Sequence, residues 1–144
     1  MVSEWEFILR IAAAAALGGL LGYEREVHKM PVGVRTYGLV AMGSAAFIAA
    51  SILISQETSA GRESTAEASL NADQVRVAAG LVAGVGFLGA GAILRKGNRV
   101  RGLTTAASIW VTAAIGLLIG TGFWIVGVGV TMLALVTIFA LQSD

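Results

Sequence analysis

Apolar residues along this chain are gathered into long blocks, and short polar segments separate them. A helix needs about 20 residues to cross a hydrocarbon core of about 30 Å, within a range of about 17 to 25 residues. The blocks that reach this length are 7–23, 36–55, 75–94, 103–120 and 123–141. The pattern therefore predicts five membrane-spanning helices.

Composition and periodicity agree with this prediction. Hydrophobic residues make up 56% of the 144 positions, charged residues make up 13%, and the mean hydropathy is +0.80. These values are too apolar for a soluble domain of this size. Strict alternation of apolar and polar residues is absent, which argues against a membrane barrel. The predicted fold is an all-α integral membrane bundle, a single domain over residues 1–144 with no soluble C-terminal domain.

Basic residues are concentrated in two of the connections between spans. Seven of the ten lysines and arginines lie there, namely Arg25, Lys29, Arg35, Arg95, Lys96, Arg99 and Arg101. Because cytoplasmic loops carry an excess of such residues, both connections are predicted to be cytoplasmic, with the N-terminus outside and the C-terminus in the cytoplasm. The acidic segment 56–74 is predicted to be an external loop. The basic residues either set the orientation only or also bind the anionic headgroups of membrane lipids.

Small residues recur at a helix-packing spacing inside the first and third spans. Gly18 with Gly22, and Gly80 with Gly84, have the G-x-x-x-G spacing that lets helix backbones approach closely in lipid. Packing inside the bundle is the expected role, and a homodimer face is the alternative. The third span also carries Gly86, Gly89 and Gly91. This density of glycine leaves open a broken helix, which transporters use at ion and substrate sites.

A small and polar stripe runs along the fourth span. It consists of Thr104, Ser108, Thr112, Gly116 and Gly120. Positions four apart wind slowly around one face of a helix, so we expect the stripe to face other helices rather than lipid. Thr105 is a further candidate for this face and, with Thr104, for capping the helix start. Trp110, in the middle of the span, is expected to be a core aromatic residue.

Charged residues near the ends of the spans form a candidate polar cluster. Its members are Glu24, Arg25, Arg35, Arg95 and Arg101. A charge held at membrane depth costs about 2.5 to 3.5 kcal/mol on insertion scales, which favours either pairing or contact with water. We expect Glu24 to pair with Arg35 or Arg101. Arg10, near the outer end of the first span, is expected to snorkel to water.

The sequence offers little equipment for catalysis. The only histidine, His28, lies in a connection, no acidic residue lies within a span, and there is no cysteine. We therefore predict no enzymatic activity, no cofactor and no nucleic-acid partner. A weaker hypothesis is a magnesium site at Glu24 and Glu26, because Mg²⁺ is held by one or two carboxylates. Residues two apart on a helix, however, do not share a face.

Three motifs together resemble the MgtC/SapB family of bacterial inner-membrane proteins. They are GGLLGYERE at 18–26, GVRT at 33–36, and GVGFLGAGAILRKGNRVRGLTTAASIWVTAAIG at 84–116. The resemblance implies a five-span domain with an external N-terminus in the inner membrane. It also implies a role in growth under magnesium limitation, in virulence and survival inside macrophages, and in restraint of the F-type ATP synthase.

The fourth span differs from that of virulence-associated relatives. Those relatives tend to have Asn where Thr104 stands and Cys where Val111 stands. The resemblance therefore implies the fold and a regulatory role more directly than the virulence activity. Many full-length relatives also continue into a soluble cytoplasmic domain similar to ACT-type regulatory modules, whereas this sequence ends at Asp144.

Three hypotheses about function follow. The first is a non-enzymatic regulator that contacts ATP synthase or another membrane protein through the small and polar faces of the third and fourth spans. The second is a small transporter or ion-binding module in which GFLGAG breaks the third helix, while Glu24, Arg35 and Arg101 gate the cytoplasmic end. The third is a lipid-dependent homodimer that packs through Gly18.

Overall fold

The computed structural model describes residues 2–59 and 66–140, which form helices and a short hairpin. The helices are α1 Glu4–Val27, α2 Val34–Ser59, α3 Ala66–Ala92, α4 Leu103–Thr121 and α5 Trp124–Ala140. Strands β1 Leu94–Lys96 and β2 Arg99–Arg101 lie between α3 and α4. The predicted five-helix architecture is confirmed, with the hairpin as an addition.

The helices are long enough to serve as the predicted spans. Apolar stretches of membrane-crossing length occur in α1 to α4, at Glu4–Val27, Val34–Glu57, Ala72–Ala92 and Leu103–Thr121. The apolar helix α5 has 17 residues, which at about 1.5 Å per residue gives a length of about 25 Å. Residue 141, the last of the fifth predicted span, lies outside the described residues. The chain is a multi-pass membrane protein.

The connection between the second and third spans differs from the prediction. α2 continues to Ser59 and α3 already begins at Ala66, so much of the predicted loop 56–74 is helical. Residues 60–65 lie outside the described part. The helical parts of this segment contain good helix formers, which extend both helices beyond their apolar blocks. They are Gln56, Glu57, Ala66, Glu67, Ala68, Ala72 and Gln74.

The basic segment after α3 is a hairpin rather than the loop expected from its charge. β1 and β2 pair antiparallel, with Leu94 opposite Arg101. Gly97 and Asn98 form the turn, and Gly97 has a φ of +62°, which a type II′ turn requires at its first central position. Two short runs separated by Gly-Asn are themselves typical of a hairpin. The prediction of a loop considered only the charge of this segment.

α1 and α2 form a tight antiparallel pair. A Cβ added at Gly18 would lie 2.6 Å from the backbone oxygen of Tyr37, and one added at Gly22 would lie 2.7 Å from Cα of Val34. These positions leave room for a hydrogen atom only. The predicted packing of Gly18 and Gly22 inside the bundle is confirmed, and the homodimer face built on Gly18 is wrong because α2 covers it.

α4 occupies the centre of the bundle and runs parallel to α2. Tyr37 of α2 bonds to Ser108 near the start of α4, and Ala45 contacts Gly120 near its end. The stripe from Ser108 to Gly120 therefore faces another helix, as predicted. In the apolar stretch of α4, 50% of the residues are buried, whereas in that of α3 only 11% are buried. α3 is therefore a peripheral helix of the bundle, as is α5, in which only Gly127, Thr131 and Ile138 are buried.

The basic connections lie at one end of the bundle, which we call the basic end. The segment 28–33 leads into α2 and the hairpin leads into α4, and the starts of these two parallel helices are joined by Tyr37 and Ser108. His28 also contacts Phe139 of α5, with 6.2 Å between ring centroids. The two basic connections share a side, as their charge predicted; that this side is cytoplasmic stays a prediction.

Candidate functional site

Hydroxyl groups join α2 to α4 inside the bundle near the basic end. The fully buried Tyr37 shares a side-chain hydrogen bond with Ser108. Ser108 Oγ donates to the backbone oxygen of Thr105 at 3.0 Å, and Thr112 Oγ1 donates to that of Ser108 at 2.8 Å. Since a hydroxyl carries one proton, Tyr37 is the donor to Ser108. Thr105, Ser108 and Thr112 face the bundle interior, as predicted. Tyr37 was missed because it is a single polar side chain after the GVRT motif and belongs to no pattern.

Close to Tyr37, α1 buries a glutamate and an arginine. Only 7% of Glu24 and 2% of Arg25 are exposed, and Arg25 Nη1 lies 3.9 Å from Glu24 Oε2. Neither carboxylate oxygen of Glu24 nor Nε of Arg25 has a hydrogen-bond partner among the described residues. Buried charges lower stability unless they are paired and hydrogen-bonded. A buried polar group without a partner calls for an explanation, such as a functional role or a bound water or ion, and both carboxylate oxygens of Glu24 are in this position; we therefore take this pair as the centre of the candidate site.

Glu24 was predicted to pair with Arg35 or Arg101, but it pairs with neither. Both arginines are exposed, whereas the neighbours of Glu24 come from its own helix end. His28 Nδ1 lies 2.9 Å from the backbone oxygen of Glu24 and 3.0 Å from its Oε1. Only the backbone oxygen is in hydrogen-bonding geometry. The prediction failed because His28, four positions along the chain, lies on the same face as Glu24, while Arg35 and Arg101 stay exposed.

Glu26 caps the second helix. Its Oε2 accepts a hydrogen bond from the Val34 backbone N–H at 3.1 Å, at a helix start where unpaired N–H groups and the helix dipole favour a carboxylate. The described residues contain no group of three or more His, Cys, Asp or Glu that could hold a metal ion. The geometry gives the magnesium hypothesis for Glu24 and Glu26 no support.

The other members of the predicted polar cluster lie outside. Arg35, Arg95 and Arg101 are exposed, and Arg95 Nε reaches only the nearby Gly97 oxygen, at 3.4 Å. Arg35 and Arg101 make neither an ion pair nor a side-chain hydrogen bond with any residue that the structure describes. The predicted cluster thus divides into a buried pair and an exposed cationic group at the basic end.

Arg10, at the opposite end, is buried and does not snorkel to water as expected. Only 8% of it is exposed, its Nη1 donates to the Gly120 oxygen at 3.2 Å, and its guanidinium pairs with Glu6. It also lies 5.4 Å from the ring centroid of Phe7. The last carbonyl groups of α4 lack helical partners, and a cation satisfies them while it interacts favourably with the helix dipole.

The glycines of α3 behave differently from those of α1. α3 is unbroken from Ala66 to Ala92, so the predicted alternative of a break at GFLGAG is wrong. A Cβ added at Gly89 would lie 3.5 Å from the Ala106 oxygen, but at several other positions it would meet no described atom within 4 Å. These open positions are Gly80, Gly84, Gly86 and Gly91. Breaking the helix in lipid would leave backbone groups unsatisfied, which costs more than the low helix propensity of glycine.

The expected close packing of Gly80 and Gly84 inside the bundle is therefore wrong, and α3 presents two open surfaces. The first, the α2–α3 groove, has a volume of ≈ 710 Å³ and lies between those helices; it is lined among others by Thr36, Leu39, Gly43, Phe47, Gly80 and Gly84. The second, the outward face of α3, consists of the exposed residues Ala79, Ala83, Gly86 and Ala90. Contact along a single edge of α3 leaves both surfaces free within the chain.

Two residues of the fourth span lie on its surface and not in the predicted packing face. Thr104 is exposed, and 50% of Trp110 is exposed. Positions four apart drift by about 40° around a helix, so Thr104 turns away from the face that Ser108 presents to α2. Trp110 lies about 200° around the helix from Ser108, which places it on the opposite side of α4.

Comparison with known proteins adds an identity to this geometry. A sequence model of the MgtC family matches residues 11–143. The protein named "Putative magnesium transporter YhiD" from Escherichia coli (strain K12) is 45% identical over 123 residues, which are 85% of this chain and 54% of that protein. Protein MgtC of Brucella abortus (strain 2308) is 45% identical over 78% of this chain and 41% of its own length.

Protein MgtC of Salmonella typhimurium (strain LT2) is 43% identical over 116 residues, which are 81% of this chain and 44% of that protein. The chain thus spans about half the length of the curated relatives it matches, between 41% and 54%. No solved structure matches it significantly. The match over almost the whole chain shows that this protein belongs to the MgtC family.

Proposed function

We propose that this chain is the membrane domain of a non-enzymatic regulator of MgtC type, which packs against a transmembrane helix of a partner protein. The exposure of α3 is the observation that carries this proposal. In its apolar stretch 11% of the residues are buried, against 33% in α1, 39% in α2 and 50% in α4. A membrane helix with so few contacts to its own bundle has most of its surface available for another helix.

The outward face of α3 has the residues that such a contact needs. Ala79, Ala83, Gly86 and Ala90 follow one another at intervals of four, three and four, and all are exposed. Small residues at this spacing let two backbones approach closely, and in lipid this close packing drives helix association. Phe87, 82% exposed, lies beside the small residues and supplies a large side chain to contact the partner.

The proposed partner is the F-type ATP synthase in a bacterial inner membrane. Membership of the MgtC family and the name MgtC of the relatives support this choice, because the resemblance links MgtC-type proteins to magnesium limitation, virulence and restraint of that enzyme. The charge distribution supports an external N-terminus and a cytoplasmic C-terminus. The proposal does not depend on Thr104 or Val111, since both belong to α4.

One part of the sequence-based hypothesis is revised. The partner face cannot include Ser108, because this residue is buried and bonded to Tyr37. Gly84 lines the α2–α3 groove rather than the outward face. Gly86→Leu is therefore the informative substitution, because a large side chain there blocks close approach without touching the bundle.

The test is ATP-driven proton pumping in inverted membrane vesicles from the native host, with and without this protein, at matched ATP synthase levels. We expect the unaltered protein to slow pumping and Gly86→Leu to remove that inhibition. Gly129→Leu is the matched control, because Gly129 is equally open but belongs to α5. Unchanged pumping on addition of the unaltered protein, or equal effects of the two substitutions, would count against the proposal.

A second candidate function, an ion-binding or transport module, is favoured by the buried Glu24 carboxylate with its unpartnered oxygens. The unbroken α3 removes the pathway first envisaged for it. If this candidate is correct, liposomes that contain the purified protein should take up a cation, and Glu24→Gln should abolish the uptake. Silence across a panel of monovalent and divalent cations would eliminate this candidate.

A further inference from the structure

The α2–α3 groove occupies one half of the membrane thickness. Its lining positions on α2 run from Thr36, two residues after the helix start, to Phe47. At about 1.5 Å per residue this distance is about 16 Å, close to half of a hydrocarbon core of about 30 Å. The groove therefore begins at the basic end and extends over one leaflet.

The shape and chemistry of the groove suit an acyl chain. Its walls are mostly apolar, and Gly43, Gly80 and Gly84 leave its floor open, since a Cβ at any of them would meet no described atom within 4 Å. Its volume of ≈ 710 Å³ extends along about 16 Å of α2, the depth of one leaflet.

Positive charge lies at one end of this groove. Arg35 directly precedes Thr36 and lies one helical turn before Leu39, and both of these residues line the groove. Arg35 is exposed and makes no ion pair or side-chain hydrogen bond with any described residue. The exposed arginines of the hairpin, which directly follows α3, add charge at the same end.

We propose that the α2–α3 groove binds an anionic phospholipid of the leaflet at the basic end, with one acyl chain between α2 and α3 and its headgroup phosphate on Arg35. Arginine binds phosphate through parallel hydrogen bonds in addition to its charge. The apolar groove and the cation are both required, because the first holds any lipid chain and the second selects the headgroup. This proposal is independent of the proposed function, which uses the outward face of α3.

The test is photolabelling of the purified protein in phosphatidylcholine bilayer discs. Each sample contains a trace of phosphatidylglycerol or of phosphatidylethanolamine with the same diazirine-bearing acyl chain. We expect phosphatidylglycerol to label peptides of the groove about five times more strongly, since a cationic residue near anionic lipid contributes about 1 kcal/mol. Arg35→Gln should bring the ratio close to one, and Arg35→Lys should keep most of the preference.

Filling the groove gives a second, independent measurement. Gly84→Leu should reduce groove labelling by both lipids, whereas Gly129→Leu on α5 should leave it unchanged; both positions are open, so both variants should fold, which tryptophan fluorescence checks. Equal labelling by the two lipids in the unaltered protein, or a preference that survives Arg35→Gln, would overturn the proposal. Leu88 also lines the groove, and the chain has no cysteine. Disulfide crosslinking of Leu88→Cys copies would therefore reveal a second copy in the groove, which would also overturn the proposal.

Discussion

Glycine has opposite roles on two sides of the bundle. The closed side is made by α1, α2 and α4, and the open side is made by α3. Gly18 and Gly22 have a G-x-x-x-G spacing, and a Cβ at either would collide with α2. Gly80 and Gly84 have the same spacing, and a Cβ at either meets no described atom within 4 Å. Small residues permit close approach in lipid, but they do not specify which helix will approach.

The largest expected effect comes from a leucine on the closed side. A Cβ at Gly116 would lie 2.2 Å from the Ala41 oxygen and 2.8 Å from Ser44 Cβ, so Gly116→Leu should prevent α2 and α4 from assembling, a loss of more than about 5 kcal/mol. Gly84→Leu on the open side should not lower stability, because a Cβ there meets no described atom within 4 Å and leucine is a better helix former than glycine. Unfolding in detergent, followed by tryptophan fluorescence, measures both, and equal losses would remove the distinction between the sides.

The buried ion pair is the next most sensitive feature of the closed side. Glu24→Ala leaves Arg25 buried without its carboxylate and should cost about 3 to 5 kcal/mol. The double variant Glu24→Ala, Arg25→Met should recover much of this loss, because the remaining charge is also removed. The four members of this double-mutant cycle are compared by the same unfolding assay. If the double variant is as unstable as the sum of the single ones, the two charges do not act as a pair.

A smaller loss is expected from the hydrogen bond between α2 and α4. Tyr37→Phe removes the donor to Ser108 while Ser108 still donates to the Thr105 oxygen, so stability should fall by about 1 kcal/mol. Tyr23→Phe is the control, because Tyr23 is 62% exposed, and it should have no measurable effect. A loss of the same size in both variants would mean that Tyr37 contributes no more than a surface residue.

The smallest expected effect comes from replacing glycine with alanine, and the change in stability has opposite signs on the two sides. Gly80→Ala on the open side replaces a poor helix former without a clash and should raise stability by up to about 1 kcal/mol. Gly18→Ala introduces a Cβ only 2.6 Å from the Tyr37 oxygen and should lower stability. Unfolding temperatures of the two variants, measured side by side, give the signs. Destabilisation by Gly80→Ala would indicate that α3 is packed more closely than its open face suggests.

Much of the fold could be predicted because hydrophobic length alone specifies how many helices cross a membrane. The five helices, the shared side of the two basic connections and the inward-facing stripe from Ser108 to Gly120 follow from local patterns. Helix ends and the hairpin were predicted less well. The helix propensity of segment 56–74 indicates the longer helices, and the Gly-Asn turn at 97–98 indicates the hairpin. A prediction based on charge alone does not use either pattern.

The candidate site was predicted only in part. Glu24 and Arg25 were identified as important charges, but their burial and the absence of hydrogen bonds to the Glu24 carboxylate from described residues were not expected, since a charge near a span end is usually placed in water. Tyr37 was missed, and Trp110 was assigned to the core although it is half exposed. Each error concerns which face of a helix meets protein and which meets lipid, and both environments favour apolar residues.

The sequence by itself determined the membrane class, the five helices, the charged end and the family, because these depend on composition, block length and contiguous motifs. Only the tertiary structure decided that Gly18 is covered while Gly84 is open, that Arg10 and Arg25 are buried while Arg35 is exposed, and that α3 is peripheral. The physical reason is that lipid and protein interior are equally apolar, so hydrophobicity places a residue in the membrane but not on a particular face.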